Sequence, residues 1–188
     1  MHHLIFEGAE LAGKSWLMSQ IYNHLEPRYN KSGFVLDGCH WFNTDVGIFG
    51  TENGKSIINN FVHIFEDLKD SNILVEKFYL SDQIYSKLHR NALVTYPKVE
   101  EKLLKLNFKI VLVTFPEDPE LLRGRIVDRL NIYPHYKNIL NSEEWYIRQQ
   151  QEYIEAVKNS KLPYIIIKTD QLPDNNLVKE ILDWIGEN

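Results

Sequence analysis

The chain has a single cysteine, Cys39, among 188 residues, so no intramolecular disulfide can form and a reducing compartment is expected. No apolar run is long enough to cross a bilayer, and no secretory leader pattern opens the sequence. A soluble cytoplasmic protein with no membrane partner is the expectation. Positive charge is scarce as well as scattered. Against 26 Asp and Glu stand 21 Lys and Arg, a formal net charge of −5, which argues against a broad nucleic-acid surface. Internal repeats, low-complexity tracts and linkers are also missing. One domain over residues 1–188 is therefore expected, and 44% hydrophobic residues supply ample material for its core.

What is present starts at residue 8. Gly8-Ala9-Glu10-Leu11-Ala12-Gly13-Lys14-Ser15 is a complete G-x-x-x-x-G-K-[ST] phosphate-binding loop. His3 to Phe6 before it is short, apolar and β-prone. Trp16 to Tyr22 after it has helical spacing, with Leu17, Ile21 and Leu25 on one stripe. A strand, a glycine loop and a helix N-terminus together aim backbone N–H groups at anionic oxygens, so the run from Gly8 to Trp16 is the expected ATP site. Gly8 and Gly13 permit backbone angles and approaches that a Cβ would block. Lys14 can set its ammonium against the β- and γ-phosphates, and the Ser15 hydroxyl can coordinate Mg²⁺. ATP and Mg²⁺ are the expected cofactors; GTP is the other candidate donor, although nothing resembles the N-K-x-D guanine motif.

Strand-like runs recur at 3–6, 33–37, 72–76, 109–115 and 164–168. Helical patterns lie between them at 55–69, 97–106, 118–129, 142–159 and 175–185. Alternation of this kind predicts an α/β fold of three layers, a five-stranded parallel sheet with helices on both faces. The continuous runs Ile73-Leu74-Val75, Ile110-Val111-Leu112-Val113 and Ile165-Ile166-Ile167 suit strands buried on both sides. Two long irregular segments interrupt the scheme, 38–54 and 130–141. The first leaves the expected second strand, and the second could close over a site as a lid.

In such a sheet ligands sit beyond the carboxyl ends of the strands. Those ends offer Asp37, Glu76 and Lys77 as catalytic candidates beside Lys14. Asp37 would be the general base for an acceptor hydroxyl, or a carboxylate capping a turn. Glu76 would bind Mg²⁺ with Ser15, or pair with Lys77 or Arg90. Lys77 could reach the acceptor or the phosphates. Arg125 and Arg129 lie four apart on one predicted helix and could converge on a phosphate chain, unless they pair with Asp118, Glu120 or Asp128.

These residues resemble the P-loop nucleoside and nucleotide kinases, specifically the thymidylate kinase and deoxynucleoside kinase branch. Phe6 to Ser15 is similar to its F-E-G-x-x-G-x-G-K-S opening, with Ala12 before the second anchoring glycine. Glu76-Lys77-Phe78-Tyr79-Leu80-Ser81-Asp82-Gln83-Ile84-Tyr85 resembles both D-R-Y-x-x-S-x-x-A-Y and E-R-S-x-x-S-D-R. Pro119-Glu120 with Arg125-Ile126-x-x-Arg129 is similar to the approach to the lid. Asp37 to Asn43 is similar to E-P-x-x-x-W-x-N, one residue shorter.

The resemblance implies ATP- and Mg²⁺-dependent phosphoryl transfer to a nucleoside or nucleoside monophosphate. It implies Asp37 as base and an acceptor pocket drawn from Trp41, Phe65, Ser81 and Tyr85, although Phe61 and Phe65 at helical spacing also suit a core. A homodimer is common in this branch. Three departures stand out: lysine rather than arginine at 77, no arginine or glutamine in 55–69, and only Lys137 after Arg129 in the lid segment. A kinase of another small metabolite or of a nucleic-acid 5′ end, and a non-catalytic ATP-binding module, remain as alternatives.

Overall fold

A computed structural model of the chain describes every residue except Val46 and Asn188. Five parallel strands form one sheet: β1 (His3–Glu7), β2 (Cys39–Asn43), β3 (Asn72–Glu76), β4 (Phe108–Thr114) and β5 (Tyr164–Lys168), in the order β2-β3-β1-β4-β5. The helices are α1 (Lys14–Tyr29), α2 (Gly54–Asp67), α3 (Tyr79–Arg90), α4 (Pro97–Lys105), α5 (Pro119–Ile132), α6 (Glu143–Asn159) and α7 (Asn175–Ile185), with a short 3-10 turn at Pro134–Asn138. α1 and α7 pack together on one side; α2, α3, α4 and α6 cover the other. The expected three-layer α/β architecture is the one observed.

β1 and β3 are buried at every position, and so is nearly all of β4, as sheet strands covered on both faces require. Phe65, Phe78 and Phe108 interlock beneath α2, with ring centroids 5.3–5.4 Å apart. The chain crosses from β3 on one side of β1 to β4 on the other. The C-terminal end of β1, where the phosphate loop begins, is thus the switch point of the sheet.

The second strand departs from expectation. Residues 33–37 are not a strand: Phe34, Val35 and Leu36 are 95%, 63% and 70% exposed. β2 instead covers Cys39–Asn43, and its alternating burial marks it as an edge strand with one neighbour, β3. Local contacts fix where it starts. A Cβ at Gly38 would lie 2.2 Å from the Glu26 carbonyl oxygen, so the chain passes under the end of α1 only at a glycine. Asn72 then donates to the Gly38 carbonyl (2.8 Å), and the Cys39 N–H donates to the Glu26 carboxylate (2.6 Å). Helix α3 lies within the motif after β3, where no helix had been assigned from periodicity.

Candidate active site

The phosphate loop takes its shape from positions no side chain would tolerate. Gly8 has φ +137°, and a Cβ there would lie 2.2 Å from the Val113 carbonyl oxygen; Gly13 has φ +89° beneath the Pro173 ring. Gly13 stands immediately before α1, whose first N–H groups point back into the loop. The Lys14 ammonium is buried and donates to the carbonyls of Gly8 (2.8 Å) and Ala9 (2.7 Å). Burial, with Lys77 nearby, brings its pKa down to about 8. Trp16, in the first turn of α1, is 38% exposed.

Ser15 and Glu76 meet across the loop, the hydroxyl donating to the carboxylate at 2.5 Å. Two adjacent hard oxygens suit Mg²⁺, which takes its other ligands from phosphate and water. Among the described residues no group of three His, Cys, Asp or Glu side chains is placed to hold a metal by itself.

Around the corner from the phosphate loop lies a second cluster. Lys77, at φ +55°, turns the chain from β3 into α3. Its ammonium reaches the carboxylates of Asp45 and Glu10 (3.4 Å to the latter) and the Tyr85 hydroxyl (3.5 Å). Tyr85 also donates to Glu10 at 3.0 Å. Burial works against the Lys77 charge, but Tyr85, Glu10 and Asp45 outweigh it and hold its pKa above the ordinary value. Glu10 is held below its ordinary range: Lys77 and Lys14 overcome its burial. Of the residues assigned to the ATP site, Glu10 thus turns its carboxylate toward Lys77 and Tyr85.

Two further carboxylates are structural supports. Glu7 is fully buried at the end of β1 and caps α3 from a distance, accepting from the Phe78 N–H (3.0 Å) and the Ser81 hydroxyl (2.6 Å). Desolvation raises it to about 7. Asp82 fastens the 47–53 loop to α3, accepting from the Gly50 N–H at 2.9 Å and the Tyr96 hydroxyl at 2.5 Å.

Several expected site residues lie elsewhere. Asp37 precedes β2 at the opposite end of the strand, and its carboxylate accepts from the N–H groups of Lys31 (3.0 Å) and Ser32 (3.4 Å). It caps a turn, the other reading of that carboxylate. Trp41 lies in mid-strand with its ring 5.9 Å from Tyr22 of α1. Phe65 has no exposed surface and belongs to the core. The Ser81 hydroxyl is held by Glu7 and Tyr153.

Arg125 and Arg129, four apart on α5, have different partners. Arg125 is buried; its guanidinium donates to the carbonyls of Leu11 (2.9 Å), Thr169 (2.8 Å) and Gln171, tying the phosphate loop to the segment after β5. Arg129 lies over the rings of Tyr133 and Tyr136, 5.7 and 5.5 Å away, within the segment expected to form a lid.

Asp45 is the principal residue missed. The strand Cys39–Asn43 ends two residues before it, and its alternation is one of burial rather than of residue type, so no local pattern announced Asp45. Gln149, whose side-chain oxygen accepts from the Glu10 N–H at 3.3 Å, and Thr169, which donates to the Ala12 carbonyl at 3.2 Å, carried no local signal.

A glycine loop stands on the central strand of a β2-β3-β1-β4-β5 parallel sheet, a fold shared with solved nucleoside and nucleotide kinases. Solved structures superpose over almost the whole chain. The YorR protein of Bacillus subtilis, in complex with phosphorylated GDP, is 17% identical, with 98% of this chain and 95% of that one covered at a TM-score of 0.68. Thymidylate kinase from Ehrlichia chaffeensis is 12% identical with 98% of both covered and a TM-score of 0.58. Deoxyadenosine kinase from M. mycoides, with dCMP and a flexible dCDP, is 13% identical over 99% and 100% of the chains, TM-score 0.55. No family model and no curated protein matches the sequence.

Proposed function

We propose that the protein is a kinase that transfers the γ-phosphoryl group of ATP to a nucleoside or nucleoside monophosphate. The observation that carries this reading is the meeting of two clusters at the switch point. Lys14, Ser15 and Glu76 form a phosphate and metal corner, and Lys77, Asp45, Glu10 and Tyr85 form an acceptor corner. The fold shared with thymidylate and deoxyadenosine kinases supports it.

In this reading the loop N–H groups and Lys14 hold the β- and γ-phosphates, and Ser15 and Glu76 hold Mg²⁺. The metal, when bound, neutralises charge building on the transferring group. Arg125 fixes the loop to the wall after β5, so its role is positioning. Residues 130–141 would close over the donor, with Arg129 released from its tyrosines toward the phosphates. Asp45, two residues beyond the end of β2, takes the place expected of Asp37.

The test is incubation with Mg-ATP and pooled nucleosides and monophosphates, read by mass spectrometry. One phosphorylated product, lost in Lys14→Ala and on chelation of the metal, is expected. Tight ATP binding without any product would instead support a non-catalytic ATP-binding module.

A further inference from the structure

The inward face of α6 is polar. Its buried residues are Tyr146, Gln149, Gln150, Tyr153 and Val157, and four of these five carry a hydrogen-bonding group. Such a stripe facing a core is unfavourable unless each group finds a partner. Three of them do, each in a different part of the fold. The Tyr146 hydroxyl accepts from the Asn141 N–H at 3.2 Å, at the end of the 130–141 segment. Gln150 spends both ends of its amide on Phe115, just past β4, accepting from its N–H (2.7 Å) and donating to its carbonyl (2.9 Å). The Tyr153 hydroxyl shares a hydrogen bond with the Ser81 hydroxyl of α3 at 2.7 Å.

Gln149 is only half satisfied. Its oxygen accepts from the Glu10 N–H of the phosphate loop at 3.3 Å. Its Nε2 has no hydrogen-bond partner among the described residues, although the side chain has no exposed surface. The amide lies beside the Tyr85 hydroxyl without meeting it at hydrogen-bond geometry. Glu10 joins the two corners of the cleft: its backbone belongs to the phosphate loop, while its carboxylate accepts from Tyr85 (3.0 Å) and pairs with Lys77 (3.4 Å). Gln149 thus touches that junction twice, at the Glu10 backbone and beside the Tyr85 side chain. A buried amide left half unpaired is destabilising, and an apolar residue of the same length would avoid the loss. The amide is therefore out of place as packing alone.

Resting on the kinase reading above, we infer that Gln149 is a positioning residue: its oxygen fixes the phosphate loop at Glu10, its Nε2 steers Tyr85, and α6 thereby sets the donor loop against the acceptor corner. Gln150, one position on, holds only the end of β4 and has no part in this alignment.

The test compares full-length wild type, Gln149→Met, Gln150→Met, Tyr85→Phe and the Gln149→Met/Tyr85→Phe double variant. Each is given Mg-ATP with pooled nucleosides and nucleoside monophosphates, and kcat and both KM values are then measured on the acceptor that yields product. Gln149→Met is expected to lower kcat/KM for that acceptor about 10–100-fold, because reacting groups held slightly out of line lose rate steeply, while ATP KM stays near wild type. Gln150→Met is expected to lower the melting temperature, with kcat within about twofold of wild type. In the double variant the two losses should be less than additive. Unchanged acceptor kinetics in Gln149→Met, a change confined to ATP KM, equal kinetic losses in Gln149→Met and Gln150→Met, or additive losses in the double variant would each overturn the inference and leave the kinase reading standing. No product from wild type overturns both. Should Gln149→Met fail to fold, Gln149→Asn, which keeps the amide but is one methylene shorter, is read by the same criteria.

Discussion

The two halves of the cleft are built by different means. The proposed donor half is, apart from Glu76, one continuous run, residues 8–15, whose shape is set by Gly8 and Gly13. The acceptor half is assembled from side chains far apart in sequence: Glu10 meets Tyr85 across 75 positions, and Lys77 meets Asp45 across 32. A site made of local backbone is specified by the residues that permit its geometry. A site made of converging side chains is specified only once the sheet order and register are known. The difference accounts for how much of each half could be found in advance.

Four measurements would break or sharpen that contrast. The largest effect is expected in α2, where Phe65 closes the aromatic core. Phe65→Ala should cost about 3–5 kcal/mol in a denaturant melt while leaving acceptor KM close to wild type in the folded enzyme. A raised acceptor KM with little loss of stability would return Phe65 to the pocket.

Next comes the donor loop itself. Gly8→Ala drives a Cβ into the Val113 carbonyl at an unfavourable φ and should destabilise by about 1–3 kcal/mol, with loss of ATP affinity. Gly124→Ala, in the open on α5, should be neutral or stabilising by up to about 1 kcal/mol. Equal effects at the two glycines would contradict a loop fixed by backbone geometry.

The third prediction concerns Lys14, whose folded pKa of about 8 lies below its ordinary 10.5. A base depressed on folding contributes stability above pH 10.5 and loses that contribution as pH falls toward 8, where the buried ammonium forms. Phosphate oxygens favour the charged form, so ATP binding between pH 8 and 10 should take up a fraction of a proton. Calorimetry in two buffers of different ionisation enthalpy measures it, and no uptake would remove Lys14 from the phosphates. The smallest effect belongs to Asp37→Asn, which should leave turnover within about twofold, because Asp37 caps a turn away from the cleft.

Four of the five parallel strands, six of the seven helices and the phosphate loop were legible, because period, continuous burial and glycine spacing are local properties; α3 was not. The exception at residues 33–37 is instructive. Phe34-Val35-Leu36 has the composition of a strand but remains exposed, while Cys39-His40-Trp41-Phe42-Asn43 alternates and pairs with β3. The choice between them was made by Gly38 against the end of α1 and by Asn72 and Glu26 across the fold. Shifting the strand moved its end from Asp37 to Asn43, two residues before Asp45, and the proposed role moved with it. Arg125 and Arg129 show the same limit: their spacing put them on one helix, but the partners of Arg125 lie 44 to 114 residues away.

By itself, then, the sequence determined a P-loop α/β fold and the donor corner at Lys14 and Ser15, because glycine geometry and hydrophobic period act over a few residues. Only the tertiary structure decided the acceptor corner. Which carboxylate meets Lys77 depends on where an edge strand begins, and that is set by packing between α1, β2 and β3.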